Sequence, residues 1–308
     1  MIEYRSIDDL TSLISKKLHL FPHDLELIIG VPRSGLLPAN ILSLFLNIPL
    51  ATLDSKGQII YIKSGNRTKN LNKTKKILVV DDSIHSGQAL SNVKKHLGDL
   101  VNSCIFCVIY AHEKSQNLVD IHLENVSVPR VFQWNLFHHS HCKTFCWDID
   151  GVLCRDPTDD ENDDGEKYIK FIESVPPRYT PSYPLGWIVS SRLEKYRAET
   201  EGWLLKHKIK YEKLILLNLP SKSARIKANN RGGFKAAHYK NTNANLFIES
   251  SHSQAVEIAQ IAGKMVYCTD RGKMIYPRIQ SVFKRKLRSA RKIIRSQIKW
   301  MIGINRLL

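Results

Sequence analysis

Short apolar runs alternate along the first half of the chain with segments of helical character. Ile77 to Val80 and Ser103 to Tyr110 are almost uninterruptedly apolar, which is typical of strands buried on both faces in a parallel sheet. Ser6 to Leu18 and the mostly apolar segment Leu36 to Leu46 are predicted helices. Strand and helix therefore alternate from Leu25 to about His112, and this βαβ pattern predicts an α/β fold.

The same kind of pattern begins again in the second half of the chain. Strands are predicted from Thr144, with acids at its end, within Trp187 to Arg192, ending in hydroxyls, and from Asn245 to the acid Glu249. A chain of 308 residues is long for one core and suits two domains of about 100–150 residues each. We therefore predict two Rossmann-like parallel-sheet domains, at residues 1–140 and 143–275.

A change in composition sets residues 276–308 apart as a basic tail. Arg271 to Leu308 contains twelve Lys or Arg residues and no acid, so the formal net charge of +17 is only +5 over residues 1–270. Apolar residues recur there at three- and four-residue steps, which predicts an amphipathic helix on an anionic membrane surface. A helix packed on the protein's own core is the alternative. Nucleic acid is a disfavoured partner because the apolar stripe is too continuous.

Export and membrane spanning find no support in the sequence. The longest apolar run, around Leu42 to Ala51, is too short to cross a bilayer, and the N-terminus lacks a signal-like charged-then-apolar run. We expect a cytoplasmic protein that is peripheral at the inner face of the cell membrane. Cys104 and Cys107 fit this compartment, since a C-x-x-C pair within an apolar strand favours buried thiols over a redox pair.

Two adjacent acids follow the predicted strand Ile77 to Val80. Asp81 and Asp82 are expected at its carboxyl end, where open α/β sheets bind ligands. Carboxylates only accept hydrogen bonds, so this pair suits two vicinal hydroxyls such as those of ribose. Ser86 and Gly87 open the next helix, where free N–H groups and the helix dipole favour a phosphate. The run therefore predicts a phosphosugar site.

The run from Ile77 to Leu90 resembles the PRPP-binding signature of type I phosphoribosyltransferases, PRPP being 5-phosphoribosyl 1-diphosphate. Ile28 to Gly35 is another strand followed by a Gly-containing turn, and the corresponding loop of that family binds pyrophosphate. An ordinary strand–helix turn is the alternative for this second segment. The resemblance implies a phosphoribosyltransferase fold and a PRPP site formed by Arg33, Ser34, Gly35, Asp81, Asp82, Ser83, His85, Ser86 and Gly87.

The chain departs from this family at Gln88, where the family usually has Gly or Arg, and at Ala89. Ala89 lies where the family usually has Thr or Ser, so one phosphate-binding hydroxyl is missing. Ser55 to Lys75 takes the place of a flexible loop that closes over the substrate in the family, although an ordinary hairpin explains it equally well. Val119 to Phe137 is predicted to be strand-rich and to form the hood that selects the acceptor. Trp134 within it is expected to pack, with stacking as the alternative.

A different pair of acids follows the strand Thr144 to Trp147. Asp148 and Asp150 alternate, so both are expected to project from the same side of an extended chain, and Gly151 permits a sharp turn. The spacing Asp-x-Asp-Gly resembles motif I of the haloacid dehalogenase superfamily of phosphatases. The resemblance implies that Asp148 is the nucleophile that forms an aspartyl phosphate, and that Asp150 is the general acid and base.

Further segments follow in the order of that superfamily. Ser190, near the end of a predicted strand, resembles the motif II hydroxyl that hydrogen-bonds the phosphoryl group. Lys235 resembles the lysine that neutralises the phosphoryl oxygens, with Lys240 as the competing candidate. Glu249 resembles the motif IV acid that helps to hold a metal ion. The resemblance therefore implies a haloacid dehalogenase-like fold for the second domain.

Mg²⁺ is the cofactor that both resemblances imply. In the second domain its ligands would be Asp148, the carbonyl of Asp150, and Glu249, which suffice because Mg²⁺ keeps several waters and takes substrate oxygens. Ser250 and Ser251 stand where many relatives have a second carboxylate. A degenerate, inactive phosphatase is therefore the alternative.

Taken together, the two predicted domains resemble bacterial PRPP-dependent ribofuranosyltransferase and phosphatase systems of polysaccharide biosynthesis. They imply a bifunctional enzyme that transfers 5-phosphoribosyl from PRPP to a lipid-linked glycan acceptor and then removes the 5-phosphate to leave ribofuranose. A nucleobase phosphoribosyltransferase fused to a nucleotidase would explain the two catalytic domains but not the tail. A non-catalytic regulator that senses PRPP is the third hypothesis.

Overall fold

The computed structural model describes residues 2–62 and 76–277. The chain divides into two compact units, with the boundary between His139 and Ser140. Each unit contains a six-stranded, mostly parallel sheet, which confirms the predicted α/β class. The predicted substrate-covering loop beyond residue 62 and the predicted tail helix beyond residue 277 lie outside the described residues.

The first unit contains eight strands and three α-helices among its described residues. The strands are β1 (Glu3–Arg5), β2 (Leu27–Gly30), β3 (Leu50–Leu53), β4 (Ile59–Tyr61), β5 (Ile77–Ile84), β6 (Cys104–Ala111), β7 (Ile121–Asn125) and β8 (Arg130–Phe132). The helices are α1 (Ile7–Lys16), α2 (Leu36–Leu46) and α3 (Gln88–Leu97). The bounds of α2 are those predicted from the apolar pattern, and α1 ends two residues before the predicted bound.

The main sheet of this unit has the strand order β4-β3-β2-β5-β6-β7, in which only β4 runs antiparallel to its neighbour. β1 and β8 form a separate parallel pair. The chain builds one side of the sheet outward from β2 and then returns to β5 for the other side. The topological switch point, where open α/β sheets bind ligands, therefore lies between β2 and β5.

The physical basis of this sheet is burial of its central strands on both faces. All four residues of β2 and the first four of β5 are buried. One face packs against the inner sides of α1 and α2, through Leu10, Ile14 and Leu42. The other face packs against α3, through Val93 and Leu97. The central strands therefore have little freedom to shift, and their ends form a fixed platform.

The second unit contains six strands and five α-helices among its described residues. The strands are β9 (Phe145–Trp147), β10 (Leu185–Leu193), β11 (Tyr211–Leu217), β12 (Leu246–Glu249), β13 (Val266–Cys268) and β14 (Lys273–Ile275). The helices are α4 (Glu166–Ser174), α5 (Arg197–Lys206), α6 (Lys222–Ala228), α7 (Arg231–Lys240) and α8 (His252–Ala262).

The sheet of the second unit has the strand order β11-β10-β9-β12-β13-β14, with only β14 antiparallel to its neighbour. Its first strand, β9, is central, and the chain builds outward to β11 before it returns to β12. The switch point therefore lies between β9 and β12, and the residues that follow these two strands meet there. Asp148 follows β9 directly, and Glu249 is the last residue of β12.

Among the helices of residues 2–62 and 76–277, none combines the length and the apolar character that crossing a bilayer requires.

Candidate functional site

The loop after β2 lies directly on the neighbouring strand β5. The amide of Val31 donates a hydrogen bond to the carbonyl oxygen of Val80 at 2.9 Å. A Cβ on Gly35 would lie 2.6 Å from the same oxygen and 2.8 Å from the Cα of Asp81, a separation that side chains essentially never reach. Glycine is therefore required for this loop to approach β5, and the approach places the exposed Arg33 and its neighbours beside the acidic pair.

The acidic pair lies within β5 and not after it. The strand was predicted to end at Val80, but it continues to Ile84, because β6 remains paired with it as far as Ala111. β2 pairs with β5 only up to Val80. From Asp81 onward, β5 is no longer paired with β2, and the loop after β2 lies beside this edge instead. The edge is therefore open to a ligand at the switch point.

The two carboxylates project from opposite faces of the sheet, since successive side chains of a strand alternate. Asp81 lines a pocket on the α3 side, whereas the carboxylate of Asp82 accepts a hydrogen bond from the indole N–H of Trp134 at 2.7 Å. The backbone N–H of Asp82 donates to Oδ1 of Asp81 at 2.8 Å. The structure therefore does not present both carboxylates to one diol: Asp81 faces the pocket, and Asp82 faces Trp134.

Burial gives Asp81 an unusual protonation equilibrium. Loss of solvent, and then the nearby negative charge of Asp82, raise the pKa of Asp81 to about 7. Desolvation penalises the charged form of a carboxyl group, and a neighbouring carboxylate adds to that penalty. Asp81 is therefore poised to change its charge near neutral pH, in a pocket where it would accept hydrogen bonds.

The predicted phosphate loop lies at the start of α3. Gly87 adopts a φ of +80° as the residue before the helix, a left-handed conformation that favours glycine. Ser86 and Gly87 line the same pocket as Asp81 and Ser83, which has a volume of about 180 Å³. This pocket combines a helix N-terminus with a carboxylate, which suits a ligand that has both a phosphate and hydroxyl groups.

His85 and Ser34 are two further residues of the predicted PRPP site, and Ala89 is a departure from the family pattern. His85 lines the pocket, and its carbonyl oxygen accepts a hydrogen bond from the hydroxyl of Ser115. Ala89 also lines the pocket, so the methyl group that replaces the usual hydroxyl faces the space where a phosphate would bind. Ser34 is half-buried in the loop after β2.

A buried charge cluster occupies the switch point of the second unit. The ammonium group of Lys235 lies 2.6 Å from Oδ2 of Asp148 and 2.7 Å from Oε2 of Glu249. It also donates to Oε1 of Gln254 at 3.0 Å. Lys240, the competing candidate, is exposed at the end of the same helix α7. The structure therefore brings together Asp148, Lys235 and Glu249, and Gln254 joins them without a sequence signal.

The protonation states of Asp148 and Lys235 depend on each other. Burial raises the pKa of Asp148 to about 7, although the positive charge of Lys235 opposes this effect. Burial alone would lower the pKa of Lys235, but the two carboxylates raise it well above its ordinary value. The lysine is therefore held as a cation.

Asp150 is held by a different cation. The guanidinium of Arg192, which is fully buried, donates to Oδ1 of Asp150 at 2.7 Å. Its Nε lies 3.2 Å from both oxygens of the same carboxylate, and it also contacts the thiol of Cys154 and the hydroxyl of Thr200. The sequence placed Asp150 beside Asp148 but did not reveal this partner, which lies 42 positions away.

The remaining predicted residues of this site are buried at strand ends. Ser190 is 1% exposed and lies within β10 (Leu185–Leu193), which contains the whole predicted strand Trp187 to Arg192. Oε1 of Glu249 accepts hydrogen bonds from the amides of Ser250 at 2.9 Å and Ser251 at 3.0 Å. These two serines thus orient the glutamate.

The buried oxygens at the switch point of the second unit decide whether a divalent cation fits there. Oδ1 of Asp148 is buried and has no hydrogen-bond partner among the described residues, so it is available as a ligand. The hydroxyl of Ser250 lies 3.5 Å from the carbonyl oxygen of Asp150. Within residues 2–62 and 76–277, no group of three or more His, Cys, Asp or Glu side chains is spaced to hold a metal. One or two carboxylates are nevertheless enough for Mg²⁺, which takes its other ligands from water and phosphate.

Known proteins resemble the first unit. Residues 3–142 match the phosphoribosyl transferase domain family. Among solved structures, the xanthine-guanine-hypoxanthine phosphoribosyltransferase of Helicobacter pylori is 18% identical, with 44% of this chain and 93% of that chain covered and a TM-score of 0.34. A purine phosphoribosyltransferase from Pyrococcus horikoshii is 23% identical, with 43% and 94% covered and a TM-score of 0.32.

A third similar structure is the orotate phosphoribosyltransferase from Aeropyrum pernix, which is 20% identical, with 38% of this chain and 70% of that chain covered and a TM-score of 0.29. The curated proteins contain no match to the chain. The family match spans the first unit, with its switch-point loop, acidic pair and phosphate loop. Residues 3–142 of this chain therefore form a phosphoribosyltransferase domain.

Proposed function

We propose that this chain is a bifunctional enzyme that uses PRPP to add 5-phosphoribosyl to a lipid-linked glycan acceptor and then removes the 5-phosphate. The first activity belongs to the phosphoribosyltransferase domain. The second belongs to residues 143–275, as a haloacid dehalogenase-like phosphatase. The basic tail from residue 276 would hold the enzyme at an anionic membrane surface, where such an acceptor is available.

Transfer of the phosphoribosyl group is a substitution at the anomeric carbon of PRPP. The bond from this carbon to pyrophosphate breaks, and an oxygen of the acceptor forms the new bond and loses its proton. Asp81 would accept hydrogen bonds from the ribose hydroxyls while positive charge develops on the ring, and Asp82, the second acid of the predicted pair, would support it from the neighbouring position of β5. The loop with Arg33 would bind the departing pyrophosphate, and Ser86 and Gly87 would bind the 5-phosphate at the start of α3.

Removal of the phosphate would use the charge cluster between β9 and β12. A carboxylate oxygen of Asp148 attacks phosphorus, and the bond from phosphorus to the sugar oxygen breaks as Asp150 gives that oxygen a proton. Asp150 then takes a proton from water, which attacks the aspartyl phosphate and releases inorganic phosphate. Lys235 would stabilise the charge on the phosphoryl oxygens, and Ser190 would orient them.

Mg²⁺ would be held in this second site by Oδ1 of Asp148, by Glu249 and by the carbonyl of Asp150. When bound, it supplies positive charge against the phosphoryl oxygens and the attacking carboxylate. In the first site, where carboxylates are fewer, the phosphates of PRPP would provide most of its ligands.

One observation supports the bifunctional proposal above all others. A pocket suited to a phosphosugar and a buried Asp–Lys–Glu cluster lie at the ligand-binding switch points of two separate sheets in one chain. Fusion of the two activities is chemically reasonable, because the product of a phosphoribosyl transfer is a phosphomonoester. A phosphatase would act on that product directly.

Mass spectrometry of PRPP reactions tests this proposal. The full chain with Asp148→Asn, which keeps the shape of the side chain but removes the nucleophile, is incubated with PRPP, Mg²⁺ and membrane-derived glycolipids, and separately with a panel of nucleobases. We expect the glycolipid to gain one phosphopentose, about 212 Da, and the wild-type enzyme to trim it to a pentose.

Each of the other outcomes would favour a different function. Addition to a nucleobase alone would contradict the glycan proposal and favour a nucleobase phosphoribosyltransferase joined to a nucleotidase. Transfer to neither class of acceptor would favour a regulator that senses PRPP. A phosphopentose that the wild-type enzyme leaves untrimmed would show that the phosphatase is inactive.

A further inference from the structure

We propose that Trp134 is a positioning residue of the PRPP site, which holds Asp82 in place through its indole N–H. This inference rests on the proposed role of the acidic pair in binding PRPP. It assigns to Trp134 a function beyond packing, and it makes the short helical segment Gln133–His138 part of the support of the site.

The carboxylate of Asp82 is buried and has few hydrogen-bond donors among the described residues. Asp82 is only 5% exposed, so its carboxylate has little contact with solvent. Oδ2 accepts the indole N–H of Trp134 at 2.7 Å, whereas Oδ1 lies 3.4 Å from the hydroxyl of Ser83. The buried Arg130 adds a nearby positive charge. A buried carboxylate needs hydrogen-bond donors, and the indole is the one side chain among the described residues that gives this carboxylate a short bond.

The indole ring of Trp134 is held in place by stacking. It stacks on the ring of Phe132 with centroids 4.8 Å apart and the planes inclined by 6°. Phe132 stacks in turn on Tyr110 at 5.1 Å, and Phe132 and Tyr110 are both buried in the core. Because a stacked ring cannot rotate without loss of contact, the N–H of Trp134 points in one direction. It therefore holds the carboxylate of Asp82 in one orientation.

A hydrogen bond connects Asp82 directly to the pocket. The backbone N–H of Asp82 donates to Oδ1 of Asp81 at 2.8 Å, and Asp81 lines the pocket with the phosphate loop. A carboxylate of Asp82 that is held by Trp134 therefore stabilises the local backbone from which Asp81 accepts its hydrogen bond. Trp134 acts on both members of the pair, although it is 52 positions away from Asp82.

Binding of PRPP to the full chain tests the role. Trp134→Phe keeps an aromatic ring on Phe132 but removes the donor. Because a hydrogen bond to a charged group contributes about 1.5–3 kcal/mol, we expect the Kd for PRPP with Mg²⁺, measured by calorimetry, to rise by about 10- to 100-fold. Trp187→Phe in the second unit is the matched control, and its Kd should equal that of the wild type.

A spectroscopic measurement separates positioning from a general structural effect. In the ¹⁵N-labelled protein, the indole N–H resonance of Trp134 is the one that disappears in Trp134→Phe. We expect Asp82→Asn to shift this resonance and to leave those of the other tryptophans unchanged, because a charged acceptor is replaced by a neutral one. Thermal unfolding of Trp134→Phe and Trp187→Phe is compared to detect any loss of fold.

Two results would overturn the proposal. The first is an indole resonance that Asp82→Asn does not move, since the hydrogen bond would then be absent. The second is a Trp134→Phe variant that binds PRPP as tightly as the wild type. A wild-type protein that binds no PRPP would refute the proposed PRPP site itself, and the role of Trp134 with it, and this failure is distinct from the other two.

Discussion

Replacement of Lys235 by methionine tests the charge balance of the second unit. The ammonium group of Lys235 lies within 2.7 Å of two carboxylates, and the side chains of Lys235, Asp148 and Glu249 are 2%, 7% and 0% exposed. Methionine preserves much of the volume but removes the only cation that contacts these two acids in the described part of the chain. Two buried carboxylates would then face each other without compensation.

The expected loss of stability follows from this burial. Removal of one partner from a buried ion pair costs about 3–5 kcal/mol, because the remaining charge has lost its solvation. For a domain of this size, about 1 kcal/mol corresponds to roughly 2–4 °C in the unfolding temperature. We therefore expect Lys235→Met to lower the unfolding temperature of the second unit by roughly 6–20 °C at pH 8.

The loss of stability in Lys235→Met is expected to depend on pH. Asp148 has a pKa raised to about 7 by burial even with Lys235 beside it, and loss of the lysine raises that pKa further. A raised pKa means that the folded state binds the proton more tightly than the unfolded chain, so an ionised Asp148 costs stability as the pH rises through this range. The difference between the variant and the wild type should therefore be largest at pH 8 and should shrink toward pH 5.

Scanning calorimetry of the full chain is the assay, and Lys240→Met is the control. Lys240 lies on the same helix but is exposed, so its replacement should change the unfolding temperature by less than about 2 °C. A Lys235→Met variant as stable as this control at pH 8 would refute the reasoning. So would a loss of stability that is the same at pH 5 and pH 8, because the carboxylates would then not be its cause.

Two further predictions concern the first unit. Gly35→Ala should destabilise the chain by about 1–3 kcal/mol in urea unfolding and weaken PRPP binding, because its Cβ would lie 2.6 Å from two carbonyl oxygens. Gly202→Ala, in α5 with open space around it, should instead be neutral or stabilising by up to about 1 kcal/mol; equal effects of the two changes would contradict the packing argument. The affinity for PRPP should fall as the pH decreases through about 7, where Asp81 gains a proton and loses acceptor capacity. In Asp81→Asn this part of the pH dependence should disappear, and only the part that comes from the PRPP phosphates, whose second pKa is about 6, should remain. Titration calorimetry at pH 6, 7 and 8 measures the difference between the two proteins, and equal pH dependences would contradict the prediction.

Much of the fold was predictable because it depends on local pattern. The apolar segment Leu36 to Leu46 predicted helix α2 with its observed bounds. The apolar run from Ser103 predicted β6, which occupies Cys104–Ala111. The predicted end of β5 at Val80 was wrong, because the strand continues through its acids to Ile84. Pairing with β6 overrides the low strand propensity of two aspartates.

The candidate sites were predictable as far as their motifs lie close together in the chain. The acidic pair and the phosphate loop lie within one strand–helix connection, and Asp148 and Asp150 are two positions apart. Their partners come from elsewhere. Arg192 reaches Asp150 across 42 positions and Trp134 reaches Asp82 across 52, and no motif announced either contact.

The amino-acid sequence by itself determined the order of strands and helices, the two clusters of acids and the glycines that allow close approach, because these follow from periodicity and from the conformational limits of single residues. Only the tertiary structure decided that Lys235 and not Lys240 meets the carboxylates, that Asp81 and Asp82 face opposite sides of the sheet, and that Trp134 holds one of them. These outcomes depend on strand order and on which side of a helix is buried. Such properties arise from packing between distant segments, and a local pattern does not contain them.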